Sequence, residues 1–144
     1  MPGVNRSALV PYQASQMYNL VADIGSYGEF LPWCAGTTLL SSDEDEVVAA
    51  IQIAYGSLNK TFTTRNRLQK DKMMEMRLVE GPFKHLHGYW RFEDLGPQGS
   101  KISLDLDFQF SSRMVGMMIG PVFTRIADGL VDAFCSRAEA LYGR

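Results

Sequence analysis

The clearest pattern in the chain is a strict alternation of apolar and polar residues over positions 101–110. A period of two places the apolar side chains on one face of a β-strand, so this stretch is predicted to have one buried and one wet face. Weaker alternation runs through residues 47–55, 74–78 and 86–93, and residues 58–68 indicate a mostly polar strand. Short breaks rich in Gly, Pro and charged residues separate these stretches. The middle of the chain is therefore predicted to form an antiparallel sheet of roughly six successive strands.

The pattern changes to a helical period near both ends of the chain. A short strand at residues 5–10 precedes a predicted helix that opens at Ala14, with Ser15 as its N-cap and Gly25 as its stop. A much longer helix is predicted within residues 112–143, because apolar residues recur there at steps of three and four. Those apolar positions are Val115, Ile119, Val122, Phe123, Ile126, Leu130, Phe134, Ala138 and Leu141.

The dipeptide Gly120-Pro121 interrupts the long helix. Because proline lacks an amide proton and crowds the preceding turn, we predict a kink here, with a helix start at Pro121 as the alternative. The single apolar face of the sheet needs a cover, and the long helix has the matching face. We therefore predict one α+β domain over residues 1–144, in which a curved antiparallel sheet wraps around the C-terminal helix with space between the two layers.

Composition restricts the possible classes of protein. The 144 residues are 46% hydrophobic and 21% charged, which is ordinary for a globular domain. The net charge of −2 argues against a broad nucleic-acid surface, so no DNA partner is expected. No apolar run approaches the ~20 residues that span a bilayer, and residues 1–6 contain no signal-peptide core. A cytoplasmic protein is expected.

The residues capable of chemistry do not assemble into a catalytic pattern in the sequence. Cys34 and Cys135 match no metal or redox spacing. His85 and His87 would share one strand face without a third metal ligand. The carboxylates show no spacing that would pair a general acid with a base. A non-enzymatic protein that requires no metal or cofactor is therefore predicted.

Three segments carry a resemblance to a known family: residues 27–34 (YGEFLPWC), 80–92 (EGPFKHLHGYWRF) and 120–138. With the order of elements, they resemble the START-like superfamily, whose fold is the helix-grip fold of START and Bet v 1 proteins. Within it, they resemble the coenzyme Q-binding branch labelled polyketide cyclase/dehydrase, which includes bacterial ribosome-association toxins. The resemblance implies a hydrophobic pocket between sheet and helix that accepts an isoprenoid or another lipid.

The pocket residues are predicted from the inward positions of the sheet and helix, and from apolar loops at a mouth that contain Phe30, Leu31, Trp33 and Phe83. The abundance of methionine, eight residues in all, favours a pocket that adapts to a flexible ligand. A closed core lined by the same residues is the alternative interpretation. The predicted ligand-binding residues are Phe30, Leu31, Trp33, Ile51, Ile53, Tyr55, Met74, Met76, Phe83, Trp90, Leu104, Leu106, Phe108, Val122, Phe123, Ile126 and Leu130.

Two functions of different classes follow from the resemblance. The first is non-enzymatic binding and delivery of a ubiquinone-like isoprenoid quinone, for respiration or quinone synthesis, with transient contact at the inner-membrane surface. The alternative is a translation regulator that binds the large ribosomal subunit, and a third, weaker hypothesis is an aromatic or polyketide cyclase. One group of basic residues is either a solvated sheet edge or a contact for RNA or anionic head groups. It comprises Lys60, Arg65, Arg67, Lys70 and Lys72.

Overall fold

Seven antiparallel strands form one sheet in the computed structural model, which describes residues 3–55 and 58–143. The strands are β1 (Gly3–Val10), β2 (Cys34–Ser42), β3 (Glu46–Tyr55), β4 (Leu58–Gln69), β5 (Met73–Glu80), β6 (Phe83–Asp94) and β7 (Ser100–Phe110). Their order across the sheet is β1-β7-β6-β5-β4-β3-β2, so β2 to β7 follow one another as hairpins and β1 pairs with the last strand. This confirms the predicted α+β class and the antiparallel sheet of successive hairpins.

The alternation in β7 has the predicted consequence for burial. Ile102, Leu104 and Phe108 on the inner face are completely buried, whereas Asp105 and Asp107 lie on the outer face. In the register, Leu104 lies opposite Trp90 of β6, and Leu106 lies opposite Val4 of β1. Because the pairing keeps inward residues opposite inward residues, one apolar face extends across neighbouring strands.

The first helix, α1 (Ala14–Ala22), begins one residue before the predicted cap. Gln13 is the N-cap, and its backbone N–H donates to the side chain of Gln16. Ser15 therefore lies inside the helix, and the prediction that it caps the helix is wrong. The helix ends before Asp23, and Gly25 belongs to a short 3₁₀ helix at Ile24–Glu29.

The predicted C-terminal helix is two helices, α2 (Arg113–Asp128) and α3 (Leu130–Tyr142), which differ in direction by 42°. The division lies at Gly129, and α2 continues through Gly120-Pro121, so the alternative of a helix start at Pro121 is wrong, whereas a kink there stays a prediction. Pro121 lies inside α2 on its exposed side. Because proline has no N–H, the backbone carbonyl one turn earlier lacks its helical donor, and water can hydrate it on this side. At the start of α2, the hydroxyl of Ser112 accepts a hydrogen bond from the Val115 N–H at 3.1 Å.

The two helices cover the inner face of the sheet, as predicted. Ile119, Phe123 and Ile126 of α2 are buried, and so are Phe134 and Ala138 of α3. Two glycines of α2 also allow close packing on β7: a Cβ atom on Gly116 would lie 3.3 Å from the Phe110 ring, and one on Gly120 would lie 3.5 Å from it. The core between the layers contains an apolar cavity.

Candidate functional site

A cavity of about 70 Å³ lies between the inner face of the sheet and the helices. Side chains from β3 to β7, from α2 and α3 and from the segment before β2 enclose it, and nearly all of them are apolar. Many of the residues predicted to line a pocket do line this cavity: Trp33, Ile51, Ile53, Met74, Met76, Trp90, Leu106, Phe123, Ile126 and Leu130.

Other predicted pocket residues lie outside this cavity, for different reasons. Leu104 and Phe108 face inward but are completely buried by their neighbours. Tyr55, at the end of β3, is 41% exposed. Leu31 is buried in the core beside the 3₁₀ helix, and Val122 is half-buried on α2. Whether any of these residues contacts a ligand stays a prediction.

Phe83 was predicted to lie in a loop at the mouth, but it is the first residue of β6. Its ring stacks on Phe110 with centroids 5.3 Å apart and meets the edge of Phe123 at 4.9 Å. The same aromatic cluster includes Phe62 of β4, 6.0 Å from Phe83. The cluster surrounds a second, very small void of about 10 Å³. Phe83 therefore packs into the core at this end.

Phe30, also predicted at the mouth, covers part of α3. The rings of Phe30 and Phe134 meet edge to face, with their centroids 5.4 Å apart. The guanidinium of Arg137, also on α3, lies 4.9 Å from the centroid of the Phe30 ring. Arg137 also donates to Glu29 at 3.1 Å. The loop thus docks through aromatic and cation–π contacts, as its apolar composition predicts.

The sequence interpretation missed two polar residues in the cavity wall, Thr64 and Asn66 of β4. They are only 4% and 1% exposed. The Thr64 hydroxyl donates to Asn66 Oδ1 at 3.2 Å, and Asn66 Nδ2 donates to the backbone oxygen of Val47 at 3.2 Å. The period of two from Phe62 to Leu68 was the signal that placed them inward.

The methionines lie in different environments. Met74 and Met76 line the cavity, as predicted. Met114, Met117 and Met118 lie on α2 and are each more than 70% exposed. The abundance of methionine is therefore only partly a property of the cavity.

The two thiols are not activated. Cys34 is buried, and its thiol donates weakly to the backbone oxygen of Gly36 at 3.7 Å. Burial raises its pKa, and burial likewise raises the pKa of Cys135. Both side chains are therefore protonated at neutral pH, and a protonated thiol is a poor nucleophile.

The two histidines lie next to each other on the outer face of β6, each beside a carboxylate. His85 is 3.0 Å from Asp107, and His87 is 2.7 Å from Glu75. The hydrogen bond from His87, and secondarily the charge of Arg77, lower the pKa of Glu75. Among residues 3–55 and 58–143, no three His, Cys, Asp or Glu side chains are grouped closely enough to hold a metal ion.

The predicted basic group does not form one surface. Arg65 and Arg67 lie exposed on the outer face of β4, and Lys70 and Lys72 follow in the turn to β5. Lys60 alternates with the outward arginines of β4, so its side chain lies on the other face of the strand. Its distance from Lys70 is ten residues, or roughly 30 Å along a strand.

Carboxylates lie among the remaining basic residues. Arg65 is 3.8 Å from Glu46, and Arg67 pairs in register with Glu75. The acidic turn between β2 and β3 lies beside the end of β4, since the Leu68 N–H donates to the backbone oxygen of Asp45. This corner of the sheet therefore carries mixed charge.

Comparison with known proteins identifies the family. Residues 10–135 match the family described as polyketide cyclase / dehydrase and lipid transport. The chain belongs to this family.

The names of two relatives point to different functions, ribosome association and coenzyme Q binding. Ribosome association toxin RatA of Pseudomonas aeruginosa is 46% identical over 140 residues, with 97% of each chain covered. The mitochondrial coenzyme Q-binding protein COQ10 of Dictyostelium discoideum is 24% identical, covering 92% of this chain and 66% of its own. A START superfamily protein from Mycobacterium smegmatis has the same fold, with a TM-score of 0.81 at 19% identity and coverage of 96% and 98%.

In the described part of the chain, no single helix is long and apolar enough to cross a bilayer. Among the described residues, α2 and α3 taken together have the length and apolar composition of a membrane span, but the pair is bent by 42°. Both helices bury one face against the sheet of this family's fold.

Proposed function

We propose that this protein associates with the ribosome and regulates translation. The observation that carries the proposal is the 46% identity with ribosome association toxin RatA, which extends over 97% of both chains. The similarity extends over almost the full length of both chains, so it is not confined to one segment of the fold. The large subunit is the proposed partner, as the family resemblance implies.

The outer face of the sheet is the proposed contact surface. It presents cations of neighbouring strands side by side, since Arg65 of β4 pairs in register with Arg77 of β5. Arg91 of β6 lies over the ring of Tyr89 at 5.0 Å. Arginine and exposed aromatic rings contact RNA phosphates and bases. The carboxylates on the same face would limit binding to a defined orientation. The contacts between arginines and phosphates would make binding sensitive to salt.

Cosedimentation of the purified protein with ribosomal subunits tests the association. We expect the protein to pellet with the large subunit at low salt and to be released as salt is raised. A variant with Arg65→Gln and Arg67→Gln tests the surface, and the matched control is Arg113→Gln with Arg125→Gln, two exposed arginines of α2 in the helical layer. Failure of the wild-type protein to pellet with either subunit overturns the proposed function. Unchanged binding by the double variant overturns only the assignment of the surface.

A second candidate function is binding of a ubiquinone-like quinone or another lipid in the cavity. The largely apolar cavity between sheet and helices favours it, and so does the relative named as a coenzyme Q-binding protein. The cavity of about 70 Å³ has room for a ring but not for a prenyl tail. Tail binding therefore requires α2 and α3 to move away from the sheet, and Gly129 between them is the natural hinge. The exposed methionines of α2 would then contact the membrane surface.

Mass spectrometry of an organic extract of the purified protein tests the second candidate. The control is an unrelated protein purified from the same host. Near-stoichiometric quinone in the extract would support carriage. An extract that remains empty after incubation with quinone-loaded vesicles would contradict carriage and leave ribosome association as the single proposal.

A further inference from the structure

The cavity contains a polar pair, Thr64 and Asn66, whose hydrogen-bonding capacity is only partly used. A primary amide has two N–H donors and an oxygen that accepts two hydrogen bonds. Asn66 uses one N–H on Val47 and accepts one hydrogen bond from Thr64. The Thr64 oxygen donates its single proton to Asn66 and retains its lone pairs. One amide N–H and the hydroxyl lone pairs therefore remain without a partner among the described residues.

Burial of this polar pair lowers the stability of the fold, so a purely structural role does not explain it. Both residues are more than nine-tenths buried, and both lie in the wall of the cavity. An amide buried with unused donors loses hydrogen bonds that it would make in water. Valine or leucine at these inward positions of β4 would line the same wall without that cost.

The rest of the cavity wall defines the size and polarity of a ligand. The surrounding side chains are apolar, including the rings of Trp33, Trp90 and Phe134. A water molecule needs about 10–15 Å³ of such space. The cavity of about 70 Å³ therefore corresponds to a group of roughly six non-hydrogen atoms, the size of one ring.

We propose that Thr64 and Asn66 form the polar end of a binding site for a ring-sized, largely apolar molecule that carries one hydroxyl or carbonyl oxygen. The ligand oxygen accepts from the free Asn66 N–H, and a hydroxyl also donates to the Thr64 oxygen. The aromatic and aliphatic wall holds the ring. This inference deepens the second candidate function by naming the group recognised, and it does not depend on ribosome association or on a prenyl tail.

Paired probes of the same shape test the proposal. Phenol and toluene each place one ring and one substituent in the cavity, but only phenol can bond to the polar pair. Titration calorimetry would compare both probes on the wild-type protein and on the Thr64→Val variant, which keeps the shape of the side chain. Thr63→Val, at the neighbouring position on the outer face of β4, is the matched control.

We expect Thr64→Val to weaken phenol binding by about 3- to 10-fold, the effect of one net hydrogen bond. Toluene binding should stay unchanged or become tighter, and Thr63→Val should alter neither. Equal effects of Thr64→Val on the two probes would overturn the role of the polar pair. Absence of saturable binding of either probe to the wild-type protein would overturn the site itself.

Folding and location are checked in the same samples. Trp33 and Trp90 are the two tryptophans of the chain, and both line the cavity. Their indole N–H signals in an NMR spectrum should shift on addition of either probe to the folded protein. Shifts confined to surface residues would contradict binding in the cavity. The result is independent of quinone extraction, so failure of one experiment does not imply failure of the other.

Discussion

The ring of Trp90 on β6 meets the ring of Phe134 on α3 edge to face, with centroids 5.3 Å apart and planes at 82°. This contact joins the centre of the sheet to the last helix at the wall of the cavity. Edge-to-face rings attract each other beyond the burial of their area. The contact therefore contributes both to stability and to the shape of the site.

Replacement of Phe134 by alanine should destabilise the protein strongly. The side chain is 1% exposed, and a buried Phe→Ala change costs about 3–5 kcal/mol because a cavity remains. Chemical denaturation would measure the loss. Leu141→Ala on the same helix is the control, since Leu141 is 52% exposed and should cost less than about 0.5 kcal/mol. Similar losses for the two variants would contradict the position of α3.

Gly88 in β6 should not tolerate alanine. A Cβ atom there would lie 2.7 Å from Leu106 Cδ1 and 3.0 Å from the backbone oxygen of Asp105, which cannot move aside easily. Overpacking of this kind costs about 1–3 kcal/mol. Gly36→Ala in β2 is the control, because a Cβ atom there meets nothing within 4 Å. A Gly88→Ala protein as stable as the control would show that the register of β6 is wrong.

The Glu75 carboxylate should make stability depend on acid pH. Its pKa in the folded protein is lowered, first by the hydrogen bond from His87. This stabilising contribution is present above the unfolded-state pKa of about 4.3 and is lost as the pH falls through the lower folded-state value.

His87→Ala should therefore raise the pKa of Glu75 and flatten the fall in unfolding free energy below pH 5. NMR titration of the Glu75 side chain measures the first effect directly. His85→Ala is the control, because His85 bonds to Asp107 instead. An unchanged Glu75 pKa in His87→Ala would show that the interaction contributes nothing.

Cys34 should react slowly with alkylating agents. Burial raises its pKa, so the thiolate is scarce at pH 7.5, and the side chain is only 7% exposed. Mass spectrometry after brief exposure to iodoacetamide should show little modification in the folded protein and rapid modification in urea. Modification of folded Cys34 at the rate of a free thiol would reopen the possibility of thiol chemistry.

The sheet could be predicted from the sequence because each strand has one dry and one wet face. The alternation of β7 and β3 therefore determines which residues face inward, and the hairpin breaks give the strand order. The same rule was not applied to β4, which was predicted only as a mostly polar strand, although the parity of Phe62 and Leu68 places Thr64 and Asn66 on the inner face. A polar residue that faces inward can be recognised only by counting alternate positions along the strand from its apolar residues.

The break between the helices was placed wrongly because Pro121 is a stronger sequence signal than Gly129. A proline on the exposed side of a helix can be hydrated and accommodated. Gly129 ends α2 in an ordinary right-handed conformation, so nothing but its position after Asp128 marked the stop. The size of the cavity could not be predicted, because it depends on how side chains of several elements interdigitate.

The most direct test of the account is a sucrose gradient of separated ribosomal subunits under conditions that favour their association, with and without the protein. We predict that the protein migrates with the large subunit and that the peak of joined ribosomes decreases as the protein is added. Protein that stays at the top of the gradient, with an unchanged peak of joined ribosomes, would contradict the proposed function.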